Sequence, residues 1–579
     1  MAGGLIQIVT YGSQDLYLTG TPEITFFLVV YRRHTNFAME SVSVNFDNTV
    51  GFGSTSVVTI PKIGDLMHKT YLQIVLPQIQ FQRLLSSIQL TDGEIEYTNA
   101  LNNYETVTNF MSVNSQAFVS AFDIENAANW TGNNAVATMT SNINAIFNSI
   151  LNQPAVIAFQ NLYAAGALPA GEVPPYIYNE VSMQAIANAN SSLIDKNVFY
   201  DMLVVGIDKS IKLQNYFRLY LLETQNIYFD NINPYLKFAW VDKVGYALIE
   251  EIDVKIGGYK IDKQYGDWLN IWHELTAKRP KENLYNKMIG NVEILTSFDR
   301  NLKPSYILKI PLQFWFCTHS GLSIPLVALQ YHDVTIDVTF RKIEQVSYIE
   351  LNQTIYLPNG NSIFLQQVPA ELGIDITATL LIDYIFIDQS ERRRFATSSH
   401  EYLIEQIQIL EFSNITQQDN LLFLKNFVHP SKELIWVAQQ EAYVTTANGY
   451  IQQRYDNYSL TIENTGNIIN ESKLEFNGYD RISRRNCNYF NYVQPYEVHN
   501  KTPSDGINNY SFAIFPEETQ PSGTANFSTL TDIKLFLYVD SSLLLPDGTI
   551  QPITIRIYTR NHNILRFING FAGTAYTYG

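Results

Sequence analysis

Short β-rich segments separated by turn residues run through most of this chain and constrain its fold more than any other feature. The first half contains Phe37–Phe46, Thr55–Ile60 and Leu248–Ile256, and each is followed by a Gly or Pro break. The last third contains Ile533–Val539 and Ile553–Tyr558. Many short strands with frequent turns are typical of sandwiches and barrels. The sequence therefore predicts an all-β protein.

The β-rich segments form two blocks separated by the charged stretch Glu391–Glu405, which is predicted to be a helical connector. A chain of 579 residues is too long for one ordinary core, so at least two domains are expected. Tyr265–Leu275 has a helical pattern between strands of the first block. The remaining strand candidates are Thr70–Leu76, Tyr306–Cys317, Leu326–Phe340, Ile376–Ile387, Leu434–Ala438, Ser459–Glu463 and Lys473–Phe476.

The strand predicted near the C-terminus shows a regular alternation. Ile553, Ile555 and Ile557 alternate with polar residues. Successive side chains of a strand point to opposite faces, so this pattern predicts one buried face and one solvated face.

A long insertion, roughly residues 80–237, interrupts the first block. Residues 126–171 contain no Asp, Glu, Lys or Arg, whereas a disordered linker normally carries more charge. Ile143, Ile146, Phe147 and Ile150 follow helical spacing, and Pro154 ends the pattern. The insertion is therefore predicted to be partly ordered and to contain a short amphipathic helix.

A helix is also predicted near the N-terminus. Thr21 suits the N-cap and Pro22 the first turn, and apolar residues follow at helical spacing. Arg32 and Arg33 fall in the last turn, where cations are favoured by the helix dipole. These two arginines are therefore explained without a ligand.

Charge and cysteine content exclude several classes of protein. The formal net charge of −17 argues against direct nucleic-acid binding, which needs a basic face. Two distant cysteines, Cys317 and Cys487, rule out a disulfide framework and favour a reducing compartment. Neither a secretory signal nor an apolar run long enough for a membrane span is predicted.

No residue pattern predicts a catalytic, cofactor or metal site. His273-Glu274 lacks the second histidine of a zinc protease motif, and Gly51-Phe52-Gly53 lacks the rest of a phosphate loop. Acids from distant strands can still form a glycosidase pair. A β-sandwich carbohydrate-binding protein or glycoside hydrolase therefore remains the main alternative.

Arg392, Arg393 and Arg394 could bind phosphate, but nearby acids favour a structural ion-pair cluster at the domain junction.

Eight segments resemble, in order along the chain, signature stretches of the major capsid proteins of large icosahedral DNA viruses, the mimivirus, chlorella virus and iridovirus group. No such motif lies between about 80 and 237. The similar segments are Gly12–Gly20, Ile24–Glu40, Tyr259–Leu275, Phe314–His332, Asp383–Phe395, His429–Val437, Tyr489–Pro495 and Gly506–Ser528.

This resemblance implies a double jelly roll, that is, two eight-stranded antiparallel sandwiches in one chain. The implied domains are an N-terminal arm at 1–24, a first jelly roll at 25–388, a connector at 389–405 and a second jelly roll at 406–579. The insertion at 80–237 would join strands D and E of the first jelly roll and form an outward-facing tower.

The resemblance further implies a structural protein without catalysis, cofactor or metal. Three chains would form a pseudo-hexagonal capsomer that tiles an icosahedral shell. Implied partners are neighbouring capsomers, a penton protein, minor or cement proteins and an internal viral membrane, in a virion assembled in the host cytoplasm. The residues expected to support structure or assembly are Arg32, Arg33, Ile143, Ile146, Phe147, Ile150, Arg392, Arg393 and Arg394.

Overall fold

The computed structural model describes residues 34–83, 233–277, 282–356, 362–366, 372–444 and 454–576, with a few helical positions between 94 and 229. The chain divides into two compact units, 1–83 with 235–579 and 84–234. Most of the second unit lies outside the described residues. The helix predicted after Thr21 and the candidate residues Arg32, Arg33, Ile143, Ile146, Phe147 and Ile150 also lie outside them.

The first block folds into a sandwich of two antiparallel sheets with four main strands each, and the two-residue strand Ile324–Pro325 also pairs in the first of them. One sheet has the order β1-β8-β3-β6 and the other β2-β7-β4-β5. This is the jelly-roll arrangement, in which β1 to β8 correspond to strands B to I. The strands are β1 (Phe37–Asn45), β2 (Thr55–Thr59), β3 (Leu66–Leu76), β4 (Ile249–Ile256), β5 (Tyr259–Tyr265), β6 (Tyr306–Pro311), β7 (Val334–Phe340) and β8 (Thr377–Ile387).

The second block repeats this topology. Its sheets have the orders β9-β16-β11-β14 and β10-β15-β12-β13. The two sandwiches together form a double jelly roll, as the sequence resemblance implied. The strands are β9 (His400–Ile415), β10 (Asp419–Phe423), β11 (Pro430–Gln440), β12 (Ile469–Phe476), β13 (Tyr479–Asn486), β14 (Ile507–Ser511), β15 (Ile533–Val539) and β16 (Ile553–Ile568).

Short helices and strands connect these sheets. The α-helices are α1 (Val244–Ala247), α2 (Gly266–Thr276), α3 (Glu282–Ile289), α4 (Glu293–Thr296), α5 (Trp315–Thr318), α6 (Ile343–Val346), α7 (Gln389–Thr397) and α8 (Gln494–Val498). Single turns of other helix types are Ser320–Leu322, Leu326–Ala328, Glu441–Tyr443, Tyr489–Val493 and Ser541–Leu543. The minor strands are Phe238–Trp240, Ile324–Pro325, Ser347–Ile349, Gln353–Tyr356, Ser362–Leu365, Ala525–Asn526 and Phe571–Thr574.

Alternating apolar residues explain why these segments pair as sandwiches. In β7 and β15 every second residue is buried, so one face of each strand contributes to a core. Asn477 and Gly478 both have positive φ and form the tight turn between β12 and β13, as the Asn-Gly pair predicts. The core of the first sandwich continues without interruption into one face of the second.

Four sequence predictions need correction. The segment Tyr306–Cys317 is a strand only to Pro311, and α5 follows; Leu326–Phe340 becomes a strand only at Val334. Ser459–Glu463 forms turns instead of a strand. Within Glu391–Glu405 the helix ends at Thr397 and β9 begins at His400. In Tyr306–Cys317 and Leu326–Phe340, the buried aromatic and aliphatic side chains fit a strand as well as they fit a short helical turn that faces the core, so the sequence pattern does not distinguish the two.

Candidate functional site at the junction between the sandwiches

Helix α7 connects the two sandwiches and carries the predicted arginine cluster. Asp388 caps the helix by accepting hydrogen bonds from the backbone nitrogens of Ser390 and Glu391 at 3.0 and 2.9 Å. These hydrogen bonds lower the pKa of Asp388, and the bond from the Glu391 backbone has the largest effect. Arg392 Nε lies 2.9 Å from Oδ1 of Asp65, whose other carboxylate oxygen accepts from the backbone nitrogen of Ile387. Arg392 therefore fixes α7 to the first sandwich.

The two other arginines of this cluster are exposed. Arg394 lies 4.0 Å from Glu391 within the same helix, and 73% of its side chain is accessible to solvent. Among the described residues, no ion pair joins Arg392, Arg393 or Arg394 to an acid of the second sandwich. Arg392 therefore has a structural partner in the first sandwich. The arginines that contact both sandwiches are Arg556 and Arg560.

Strand β16 is buried on both faces, which contradicts the prediction of one solvated face. Ile553, Ile555 and Ile557 lie in the core of the second sandwich. The opposite face, which includes Arg556, Tyr558 and Arg560, packs against the first sandwich. The polar residues that suggested solvent are therefore internal. We call the contact of the outer faces of β9, β11 and β16 with β5 and α2 the junction.

Arg560 lies at the centre of the junction and contacts both sandwiches. Its guanidinium carbon is 3.9 Å from the centre of the Trp272 ring on α2. Its Nη1 donates to Glu433 Oε1 at 2.9 Å, and its Nη2 pairs with Glu405. Planar stacking together with two carboxylate contacts suits arginine and not lysine. One side chain therefore balances two buried acids and packs on an aromatic wall.

The same acids are also bound by a lysine and a histidine. Lys432 Nζ lies 2.5 Å from Glu405 Oε1. His499 contacts two acids, with its Nε2 3.0 Å from Glu433 Oε2 and its Nδ1 3.1 Å from Glu517 Oε1. The side chains of Lys432, Glu433 and His499 are 0% exposed. The result is a buried network of alternating charge.

This network shifts the pKa values of its members in the directions expected for ion pairs. Burial alone would raise the pKa of Glu433, but His499 and Arg560 together lower it to about 2. Burial alone would lower the pKa of His499, but Glu433 and Glu517 raise it to about 9. His499 is therefore an imidazolium at neutral pH and donates from both ring nitrogens.

A second group of ion pairs lies around Arg556, four residues before Arg560 on β16. Asp267, at the start of α2, is 3.4 Å from Arg341 Nη2 of the first sandwich and 3.5 Å from Arg556 Nη1 of the second. Arg556 also donates to Glu411 at 2.8 Å and to Gln439 at 2.9 Å. One aspartate is thus shared by arginines of both sandwiches.

Lysines complete the contacts at the end of α2. Glu274 accepts from Lys243 at 3.1 Å and from Lys501, in the second sandwich, at 3.4 Å. These two lysines oppose the effect of burial and lower the pKa of Glu274 to about 2. The backbone nitrogen of Lys501 also donates to the carbonyl of Leu275 at 3.0 Å. Helix α2 therefore contacts the second sandwich along its length.

The sequence interpretation missed the residues of the junction. Several charged residues of the junction, such as Glu405, Arg556 and Arg560, lie within strands rich in apolar residues. Lys432-Glu433 within a β-rich segment was the signal that an internal charge network was present. Segments noted only for their resemblance contribute to the junction. Tyr265–Leu275 supplies Trp272, His429–Val437 supplies Glu433, and Gly506–Ser528 supplies Glu517.

The described residues contain no group of three or more His, Cys, Asp or Glu side chains placed to hold a metal ion. Among these same residues, no helix combines the length and apolar character that crossing a membrane requires. The junction is accordingly described by ion pairs, hydrogen bonds and packing.

Two family models match the chain. The model described as "Large eukaryotic DNA virus major capsid protein" matches residues 391–573. The model described as "Major capsid protein N-terminus" matches residues 25–142 and 214–388. The two matches fall on the second and first sandwiches, respectively.

Individual relatives cover the full chain. The major capsid protein of Phaeocystis pouchetii virus is 29% identical, with 100% of both chains covered. The major capsid protein of Paramecium bursaria Chlorella virus 1 is 26% identical, also with 100% of both covered. Probable capsid protein 4 of Acanthamoeba polyphaga mimivirus is 29% identical, covering 100% of this chain and 99% of the relative.

Solved structures show the same fold. The chain superposes on the capsid protein of the PBCV-1 virus capsid with a TM-score of 0.56 and 23% identity, covering 96% of this chain and 100% of that one. The Faustovirus major capsid protein gives a TM-score of 0.56 at 10% identity, covering 94% and 93%. The relatives are structural capsid proteins and not enzymes.

Proposed function

Because this chain belongs to the major capsid proteins of large eukaryotic DNA viruses, we propose that three copies associate into a pseudo-hexagonal capsomer. Capsomers of this kind then tile an icosahedral shell. Membership in the family establishes the capsid role itself, and the trimer and its arrangement in the shell are what we propose.

The observation that carries this proposal is the repeated topology within one chain. Each sandwich has the same two sheet orders, and the junction fixes one sandwich against the other through the ion pairs Arg556–Asp267 and Lys501–Glu274. Three such chains around a threefold axis present six similar sandwiches. A trimer can therefore occupy a position of approximate sixfold symmetry, because its six sandwiches share one topology although they belong to only three chains.

The domain boundaries proposed for this assembly are those expected from sequence, except at the connector. Residues 1–24 would form an arm and 25–388 the first jelly roll. The connector expected at 389–405 is shortened to 389–399, because β9 of the second jelly roll begins at His400. The insertion at 80–237 follows β3, which is strand D, and precedes β4, which is strand E. We propose that it faces outward and packs against its copies near the threefold axis.

The proposed partners follow from a shell made of such trimers. They are neighbouring capsomers, a penton protein, minor or cement proteins and an internal viral membrane. The protein would reside in the virion after assembly in the host cytoplasm. Direct contact with the genome is not proposed, because the formal net charge is −17.

Mass measurement and imaging of the purified full chain test the assembly proposal. Light scattering at micromolar concentration is expected to report about three times the chain mass of 66.1 kDa. Electron microscopy is expected to show hexagonal particles with threefold symmetry. A folded protein that stays monomeric over this concentration range would contradict the trimer.

The carbohydrate-binding or glycoside hydrolase alternative makes a different prediction. A monomer that binds or cleaves glycans would support it. The relatives give it no support, because they are capsid proteins. We therefore retain the assembly proposal alone.

A further inference from the structure

One buried acid at the junction has no cation bound to it. Asp262 of β5 is 3% exposed, and its Oδ1 accepts a hydrogen bond from the backbone nitrogen of Ile407 in β9 at 3.0 Å. The ion pairs among the described residues do not include Asp262, and its Oδ2 is buried without a hydrogen-bond partner. By contrast, Glu405 and Glu433 each contact a buried arginine. An ionised carboxylate in the place of Asp262 would be costly.

A second acceptor oxygen lies unsatisfied on the same face of the strand. Gln264 is two residues after Asp262, so the two side chains point the same way. Its Oε1 is also buried without a partner. The Gln264 side chain opposes the effect of burial on the pKa of Asp262 only in part, and a protonated Asp262 carboxyl would supply one O–H donor in this acceptor-rich place. Burial raises the pKa of Asp262 to about 8, which agrees with a neutral acid at this position.

We propose that the two sandwiches pack together at the junction with the Asp262 carboxyl protonated. Loss of the carboxyl proton in alkaline solution then loosens the contact between the two sandwiches. Ionisation of Asp262 is expected to affect the hydrogen bond from the Ile407 backbone nitrogen, because this bond directly joins β5 of the first sandwich to β9 of the second.

A crevice at the junction leads towards this acid, although Asp262 itself is only 3% exposed. The crevice is partly open to solvent and is lined by Asp262 and Gln264 together with Glu405, Glu517 and Arg560. Arg560 is already bound to Glu405 and Glu433, and Lys263 of the same strand is bound to Glu251. The charged or polar groups around Asp262 are Lys263, Asp253, Gln264, Gln313, Glu405, Gln406, Glu517 and Arg560.

The direction of the pH effect follows from the raised pKa. In the unfolded chain Asp262 ionises near its ordinary pKa of 3.8, whereas in the folded chain it ionises at about 8. Its contribution to stability is therefore complete below about pH 4 and is lost as the pH rises to about 8. Other groups add their own dependence, so the informative quantity is the difference between two proteins that differ only at this residue.

The substitution Asp262→Asn keeps the shape of the acid and supplies an N–H donor at every pH. The melting temperature of D262N minus that of the wild type is expected to increase steadily from about pH 5 to about pH 8 and to level off above. Asp419→Asn removes an exposed acid from the second sandwich and is expected to give a flat difference. A flat difference for D262N, whatever its sign, would overturn the proposal.

Hydrogen exchange gives a readout at the proposed point of opening. In the wild type, exchange of the Ile407 amide, corrected for the intrinsic effect of pH, is expected to accelerate between pH values of about 6 and 8.5. In D262N it is expected to stay slow over this range. Equal acceleration in both proteins, or constant protection in the wild type, would contradict a contact controlled by Asp262. The wild-type measurement decides the matter even if D262N does not fold.

Discussion

Arg560 of the second sandwich stacks on Trp272 of the first, with 3.9 Å between the guanidinium carbon and the ring centre. The same guanidinium contacts Glu405 and Glu433, which are anchored on β9 and β11. This arrangement couples an inter-sandwich contact to charge balance inside the second sandwich. Removal of either partner therefore affects more than one interaction.

The substitution Arg560→Met is expected to destabilise the protein by about 3–5 kcal/mol, because it leaves Glu405 and Glu433 buried with less positive charge. Methionine retains apolar contact with Trp272, so the loss reports mainly on charge. Urea unfolding of the purified protein measures the change in the free energy of unfolding.

Arg566→Met is the matched control for this measurement. Arg566 lies on the same strand and pairs with Glu401 at 2.8 Å, but about half of each side chain is exposed. Exposed pairs contribute about 0–1 kcal/mol. Equal effects of the two substitutions would show that the Arg560 network contributes no more than a surface ion pair.

His499 is expected to make stability depend on pH in the alkaline range. Its pKa is about 9 in the folded protein, compared with 6.5 ordinarily. The stabilisation is therefore complete below pH 6.5 and is lost as the pH rises through about 9. The difference corresponds to about 3 kcal/mol, since one pKa unit is about 1.4 kcal/mol.

Comparison with His499→Gln tests this dependence. The free energy of unfolding of the wild type minus that of H499Q is expected to decline between about pH 6.5 and pH 9. Chemical denaturation at closely spaced pH values gives this difference directly. A difference that stays constant over the range would mean that His499 does not change its proton affinity on folding.

Much of the double jelly roll could be predicted from sequence, because alternating apolar residues and turn pairs are local signals. Ile533–Val539 is predicted with its observed bounds, and the Asn477-Gly478 pair is itself a local signal for the hairpin turn that the structure shows. The junction could not be found in this way. Arg556 lies between two isoleucines and Arg560 between two polar residues, as surface residues of a strand often do. Their partners Asp267 and Trp272 are almost three hundred residues earlier in the chain.

The arginines of α7 are expected to differ in importance. Arg392→Ala should lower the free energy of unfolding by about 1 kcal/mol, because Asp65 is nearly buried although Arg392 itself is largely exposed. Arg393→Ala and Arg394→Ala should change it by less than about 0.5 kcal/mol, as is usual for exposed residues. Thermal unfolding of the three single variants checks this order.

The triple alanine variant separates the structural role from phosphate binding. A lower melting temperature or trimer yield is expected, with no change in affinity for DNA. Unchanged stability together with loss of nucleic-acid binding would support the phosphate-binding interpretation of Arg392, Arg393 and Arg394.

The insertion can be removed at a point where its two ends meet. The backbone nitrogen of Leu236 donates to the carbonyl of Phe81 at 2.9 Å, and Gln82 forms an antiparallel bridge with Tyr235. A short glycine-containing turn can therefore replace residues 84–234 without stretching the chain. Loop closure itself changes little in free energy, because its cost grows only slowly with loop length.

This deletion is expected to leave both sandwiches folded while weakening the proposed trimer. The cores and the junction lie within residues 34–83 and 235–576, so the far-ultraviolet circular dichroism should retain its β-sheet character. The trimer should dissociate at a higher protein concentration than the wild type, because the insertion is proposed to supply contacts near the threefold axis. Light scattering over a dilution series measures this shift. A deletion variant that trimerises as tightly as the full chain would place the trimer contacts on the sandwiches themselves.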